Sequence, residues 1–133
     1  MGIKEQTSYW LNSARHDLEV AESLFKAKKF DWCLFVGHLV LEKVLKACYV
    51  NTKQHFPPKI HDLVRLAFLA GVELDDETLD FLDSVNTFNI ATRYPDEKFK
   101  FYKVCTYEFT AYNFERIKEV FQWICQRINI LEK

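Results

Sequence analysis

Between Asp31 and Asn51 the chain is apolar around most of a helical circumference. Trp32, Cys33, Leu34, Phe35, Val36, Leu39, Val40, Leu41, Val44, Leu45, Cys48 and Tyr49 leave only a narrow polar stripe of His38, Glu42, Lys43 and Lys46. A helix that apolar must be covered on several sides, so the segment predicts a central helix with neighbours packed around it. The stripe then needs water or polar partners wherever it lies. Three Gly and three Pro among 133 residues leave little punctuation, which favours long helices over short strands. The length suits one domain, residues 1–133, with a single core.

The flanking segments supply the neighbours. From about Ser8 to Lys28, Trp10, Leu11, Ala14, Leu18, Ala21, Leu24 and Phe25 recur at helical spacing, with Thr7 or Ser8 as a candidate N-cap. Asp31 has the same role ahead of the central helix. Phe56-Pro57-Pro58 breaks the chain, and a shorter helix is expected from Ile60 to Ala70, ended by Gly71. Asp75 or Asp76 opens a fourth helix carrying Leu79, Leu82 and Val85, which ends before Pro95. Residues 93–103, RYPDEKFKFYK, read as an irregular loop. Tyr107 to Leu131 forms the last long helix, with Phe114, Ile117, Phe121, Ile124, Ile128 and Leu131 on one face. The expected architecture is all-α, an antiparallel up-and-down bundle of four to five helices.

Charge narrows the function classes. Eighteen Lys plus Arg against nineteen Asp plus Glu give a net charge of −1, which supplies no global attraction for nucleic acid or anionic lipid. No apolar stretch reaches the roughly 18 uninterrupted residues of a membrane span, and a cytoplasmic protein is expected. Cys33, Cys48, Cys105 and Cys125 form no CxxC pair and sit among apolar neighbours, so they read as small buried hydrophobes.

The chain has no GxSxG, no glycine-rich phosphate loop and no HExxH, and the spacing of its four histidines marks no metal cluster. No metal or cofactor is expected. His38 and Glu42 lie four apart on one helix, as half of an acid–base or metal site or, more commonly, as a polar contact beside a core. His61-Asp62 opens the short helix, where capping is the simpler role and a ligand contact the alternative. The 93–103 stretch carries more chemistry. Arg93 offers a planar fork of donors, Tyr94 a ring with a hydroxyl, and Asp96 an acceptor. Lys98, Lys100 and Lys103 then alternate with Phe99, Phe101 and Tyr102. Cations beside rings suit a nucleotide or single strand. The same pattern also arises when aromatics tuck under a loop and lysines stay wet.

Taken in order, Ala14-Arg15-His16-Asp17-Leu18, then His38-Leu39-Val40-Leu41-Glu42-Lys43-Val44-Leu45-Lys46-Ala47, then His61-Asp62-Leu63 and finally Ala91-Thr92-Arg93-Tyr94-Pro95-Asp96 resemble the HEPN family over about residues 8–130. The resemblance implies a small helical bundle that dimerises. It also implies a frequent pairing with a minimal nucleotidyltransferase in toxin–antitoxin-like systems. Many members are metal-independent ribonucleases built on an Arg and a His four to six residues apart. This chain departs from that pattern, because its last histidine is His61 and none follows Arg93. The branch with an RYP loop implies a nucleotide-binding protein instead.

The leading expectation is therefore a non-catalytic HEPN-type module that binds a nucleotide or a nucleotidyltransferase partner. Arg93, Tyr94 and Asp96 are the first candidate contacts, and Glu42, Lys43 and Lys46 the next. His38, His61, Asp62, Lys98 and Lys100 are further candidates, with Asp17 expected to buttress Lys43 or Lys46. Two alternatives stand beside it. One is a ribonuclease pairing Arg93 with His38 or His61 across the bundle. The other is an interaction scaffold using Phe99, Phe101 and Tyr102.

Overall fold

The computed structural model describes the backbone of residues 2–132 and the side chains of residues 2–128. It contains α1 (Ile3–Lys26), α2 (Phe30–Lys53), α3 (Leu63–Leu69), α4 (Asp76–Ala91), α5 (Pro95–Val104) and α6 (Tyr107–Glu132). No strand occurs among the described residues. The architecture is the expected all-α bundle.

The helix α2 is central, packing against α1, α6, α3, α4 and α5. Its Leu34, Leu41, Val44 and Leu45 are fully buried. Side-chain pairs give the directions. Lys43 meets Asp17 and Lys46 lies over Trp10, so α1 and α2 are antiparallel. Phe30 meets Tyr107 near the starts of α2 and α6, and a Cβ on Gly37 would meet Ile117, so these two run parallel. Phe88 faces Phe109 and Glu77 approaches Arg116, which sets α4 antiparallel to α6. The four longest helices thus alternate up and down, and α3 and α5 occupy the connections on either side of α4. Phe114, Ile117, Phe121, Ile124 and Ile128 of α6 are buried as their spacing requires; Leu131 falls outside the described side chains.

Some boundaries differ from the expectation. Helix α1 begins at Ile3, five residues before Ser8, and Thr7 donates its hydroxyl to the Ile3 carbonyl instead of capping. Helix α2 begins at Phe30, which places Asp31 in its first turn, where a carboxylate favours the positive end of the helix dipole. The third helix starts at Leu63, not Ile60. There Asp62 is the N-cap, its carboxylate accepting from the Val64 and Arg65 amides. Gly71 follows the C-cap of α3 at φ 74°, a conformation that glycine adopts without steric cost. Asp75 caps α4 by accepting from the Thr78 amide.

The stretch expected to be a loop is the helix α5. Pro95 stands at its first position, where the missing N–H costs nothing, and Asp96 and Glu97 occupy the first turn with Lys103 in the last. Phe101 is buried against Phe88, 5.2 Å between ring centroids, so the exposed aromatic face of this segment is Phe99 and Tyr102 without Phe101. All four cysteines are free and buried. Burial pushes the Cys33 and Cys105 thiols up to about 12, which leaves them protonated and unreactive.

Candidate functional site

The polar stripe of α2 splits by direction. Lys43 turns toward α1, donating to Asp17 Oδ2 at 2.6 Å and Ser13 Oγ at 2.9 Å, and so acts as a tie between the two helices. Lys46 is buried, 3.1 Å from Glu42 Oε2 and 5.3 Å from the centroid of the Trp10 ring. Glu42, also buried, accepts from Lys46 on one oxygen and from His61 Nδ1 on the other, at 3.0 Å. A carboxylate this deep is tolerated because it has partners on both sides.

His38 is wholly buried, and its Nε2 lies 3.1 Å from the His61 carbonyl. A carbonyl only accepts, so Nε2 carries the proton and Nδ1 is a bare lone pair. That Nδ1 has no hydrogen-bond partner among the described residues and faces Glu42 Oε1 at 3.9 Å. Burial lowers the His38 pKa below its ordinary 6.5, against the opposing pull of the Glu42 carboxylate and the His61 backbone carbonyl. A consequence for stability follows. Above pH 6.5 the imidazole is neutral whether folded or unfolded, and its contribution is complete. As pH falls below 6.5 the unfolded chain takes the proton first, and stability is lost until the folded pKa is passed. Unfolding midpoints from about pH 7.5 to about pH 5 should therefore fall more steeply in the native protein than in His38→Gln. Equal slopes would show that another group carries the acid response.

His61 sits in the connection between α2 and α3, its side chain 59% exposed. Because Nδ1 donates to Glu42, its Nε2 is directed away from the carboxylate with a free lone pair. The next residue, Asp62, accepts on the same oxygen from Asn86 Nδ2 at 3.0 Å as from the first-turn amides of α3. Asn86 in turn accepts from the Leu63 amide at 2.9 Å. One turn along α4, buried Asn89 accepts from an Arg93 terminal nitrogen at 3.2 Å.

These residues enclose a cleft of about 220 Å³ between the 61–62 connection and α4, lined by His38, His61, Asp62, Asn86, Asn89 and Ile90. Arg93 stands at its margin through Asn89, with its guanidinium otherwise uncommitted among the described residues. The fold thus gathers His38, His61 and Asp62 at the cleft, with Glu42 behind His61; Arg93 does not line it and is tied to it only through Asn89. Lys43, Lys46, Tyr94, Asp96, Lys98 and Lys100 do not line the cleft. Tyr94 is 60% exposed at the N-cap of α5, and Asp96 is exposed in its first turn. The Lys98 ammonium lies 4.4 Å above the Trp32 ring, and Lys100 approaches Glu97. Asn86 and Asn89 escaped the sequence reading. Their signal was a pair of asparagines, poor helix formers, interrupting the face that continues Leu82 and Val85.

Among the described residues no helix is long and apolar enough to cross a membrane. The fold is similar to the crystal structure of TT1696 from Thermus thermophilus, with a TM-score of 0.77 at 17% identity, covering 91% of this chain and 97% of that one. No curated protein matches the chain. The family model for the HEPN domain matches residues 7–128, which takes in most of α1, all of α2 to α5 and most of α6. The chain belongs to the HEPN domain family.

Proposed function

We propose that this HEPN-family chain is a binding module that takes a nucleotide at the cleft between the 61–62 connection and α4, with Arg93 gripping a phosphate. The observation that carries the reading is the Arg93 side chain: exposed, steered by one bond to Asn89, and retaining donors for a bidentate phosphate contact at the margin of the cleft. The amides of Asn86 and Asn89, the Asp62 carboxylate and the outward His61 nitrogen offer the mixed donors and acceptors that a base or ribose requires. In the same reading the chain is non-catalytic, associates as a homodimer and works with a minimal nucleotidyltransferase in a toxin–antitoxin-like pair. Exposed Tyr94 and Asp96, beside Arg93, suit contact with that partner.

Thermal unfolding with and without millimolar ATP or GTP tests the ligand. A nucleotide bound only by the folded state stabilises it by about 2.7 kcal/mol at roughly 100 times its Kd. The midpoint should rise in the native protein and not in Arg93→Ala, whose own fold should be intact because the side chain is exposed. No rise with any nucleotide would end this reading.

A second reading has a specific observation in its favour. Glu42 orients His61, a residue that lines the cleft, as a carboxylate orients a general base, leaving Nε2 uncommitted among the described residues. That pairing suits a ribonuclease. Incubation with mixed RNA in EDTA separates the two, since cleavage lost in His61→Ala supports the enzyme and intact RNA at high protein concentration removes it.

A further inference from the structure

The opposite side of α4 carries a feature that the cleft does not use. Helices α4 and α6 both lean on α2 and barely touch one another along their backbones, which leaves a groove between them. Two adjoining hollows of about 420 and 450 Å³ make up the groove and share Arg116. The floor is apolar and aromatic: Leu74, Val120 and Trp123 at one end, Phe81, Phe109 and Tyr112 at the other. Trp123 is 44% exposed and Tyr112 64%.

The rim has one sign. From Leu66 to Thr92 the chain has no Lys or Arg, whereas Glu73, Asp75, Asp76, Glu77, Asp80 and Asp83 are all exposed. Of these, Glu73, Asp75, Glu77 and Asp80 border the groove, joined by Glu119 from α6. Arg116, the one cation lining either hollow among the described residues, is already placed between Glu77 and Glu119 and over the Phe81 ring.

We propose that the α4–α6 groove is a docking surface for an amphipathic helix of a partner protein, one whose apolar stripe is flanked by lysine or arginine. Charge complementarity around an apolar floor selects this occupant. An apolar segment without cations would draw water away from the rim carboxylates and give nothing back. A polyanion is repelled. A basic amphipathic helix meets both demands, its stripe reaching the aromatics at i, i+3, i+4 and i+7 spacing and its cations lying along the carboxylates. A second copy of this chain fits less well. Its exposed basic helix is α5, which carries Asp96 and Glu97 in the first turn, and two of its three lysines, Lys98 and Lys103, already lie over Trp32 and Phe99.

The test uses the full chain, labelled with ¹⁵N, and three synthetic helical peptides. The first sets leucines at i, i+3, i+4 and i+7 among lysines, the second has the same composition scrambled, and the third replaces lysine with glutamate. The first should shift amide resonances of residues 73–84 and 109–123, and Glu77→Lys with Asp80→Lys should weaken it about tenfold or more, because two attractions become repulsions. Trp123→Ala should weaken it without altering its salt dependence, which separates the floor from the rim. Both carboxylates are exposed, so the charge variants should fold; dispersion of their amide spectra checks this, and falling affinity with added salt reports the same rim without any substitution. Equal binding of the scrambled peptide, shifts mapping elsewhere, or concentration-dependent shifts of the groove with no peptide present would each overturn the proposal. The last of these would assign the groove to self-association.

Discussion

Glu42→Ala should cost about 3–5 kcal/mol of folding stability, the largest effect expected from any single polar substitution in this bundle. Glu42 and Lys46 are 6% and 5% exposed, one turn apart on the most buried helix. Bringing both charges out of water is expensive, and each is tolerated because the other is 3.1 Å away. Truncating Glu42 leaves the Lys46 ammonium buried beside the Trp10 ring with no counter-charge among the described residues, and leaves the His61 Nδ1–H without its acceptor. The cost arises from the orphaned cation rather than from the lost contact. Glu42→Met combined with Lys46→Met should therefore recover most of the loss, since an apolar pair of similar volume needs no counter-charge. Denaturant unfolding at neutral pH measures both variants. A double variant as unstable as Glu42→Ala would show that shape or the His61 bond, not charge pairing, is what the site needs.

The second large effect is steric. Gly37 stands in the interior of α2, where glycine costs roughly 0.5–1 kcal/mol relative to alanine. A Cβ there would lie 2.7 Å from Ile117 Cδ1, so the tip of that side chain on α6 would have to turn aside. Gly37→Val adds a branched side chain at that contact and should destabilise by about 1–3 kcal/mol through displaced packing. Ile117→Ala, a cavity in a fully buried position, should cost about 2–5 kcal/mol by itself. Combined, the two should cost less than their sum by about 1 kcal/mol or more, since the new valine fills space the isoleucine vacates. Strict additivity would mean that crowding by Ile117 is not what keeps position 37 free of a side chain.

These two sites also mark where the sequence was legible. The centrality of α2 followed from residues that are apolar all round, and Asp75 or Asp76 marked a helix start by a short side chain ahead of a periodic run, with Asp75 proving to be the cap. Asp62 was equally visible as a cap. The partnership of Glu42 with Lys46 was within reach at i, i+4, yet its third member, His61, lies 19 residues away through a connection whose path is fixed only by tertiary contacts. Helix α5 was hidden for a different reason. Lys98, Phe99, Lys100 and Phe101 alternate with the period of a strand, and Pro95 reads as a breaker unless it is known to occupy the first helical position. Arg93 stands out in the sequence by its fork of donors ahead of a proline. Asn89, which steers it, carries no charge, and its one mark in the sequence is that it interrupts, with Asn86, the apolar face of its helix.

The reciprocal bonds between the 61–63 connection and Asn86 bear on how a ligand would be received. Asp62 accepts from the Asn86 amide while Asn86 accepts from the Leu63 amide, so the connection and α4 are stitched in both directions. Both walls of the cleft are preorganised before anything enters. A ligand arriving there spends little free energy on immobilising protein, so its affinity reflects the contacts it makes. Discrimination between ligands would then fall to the groups left uncommitted among the described residues, the outward His61 nitrogen and the remaining donors of Arg93 beside Asn89.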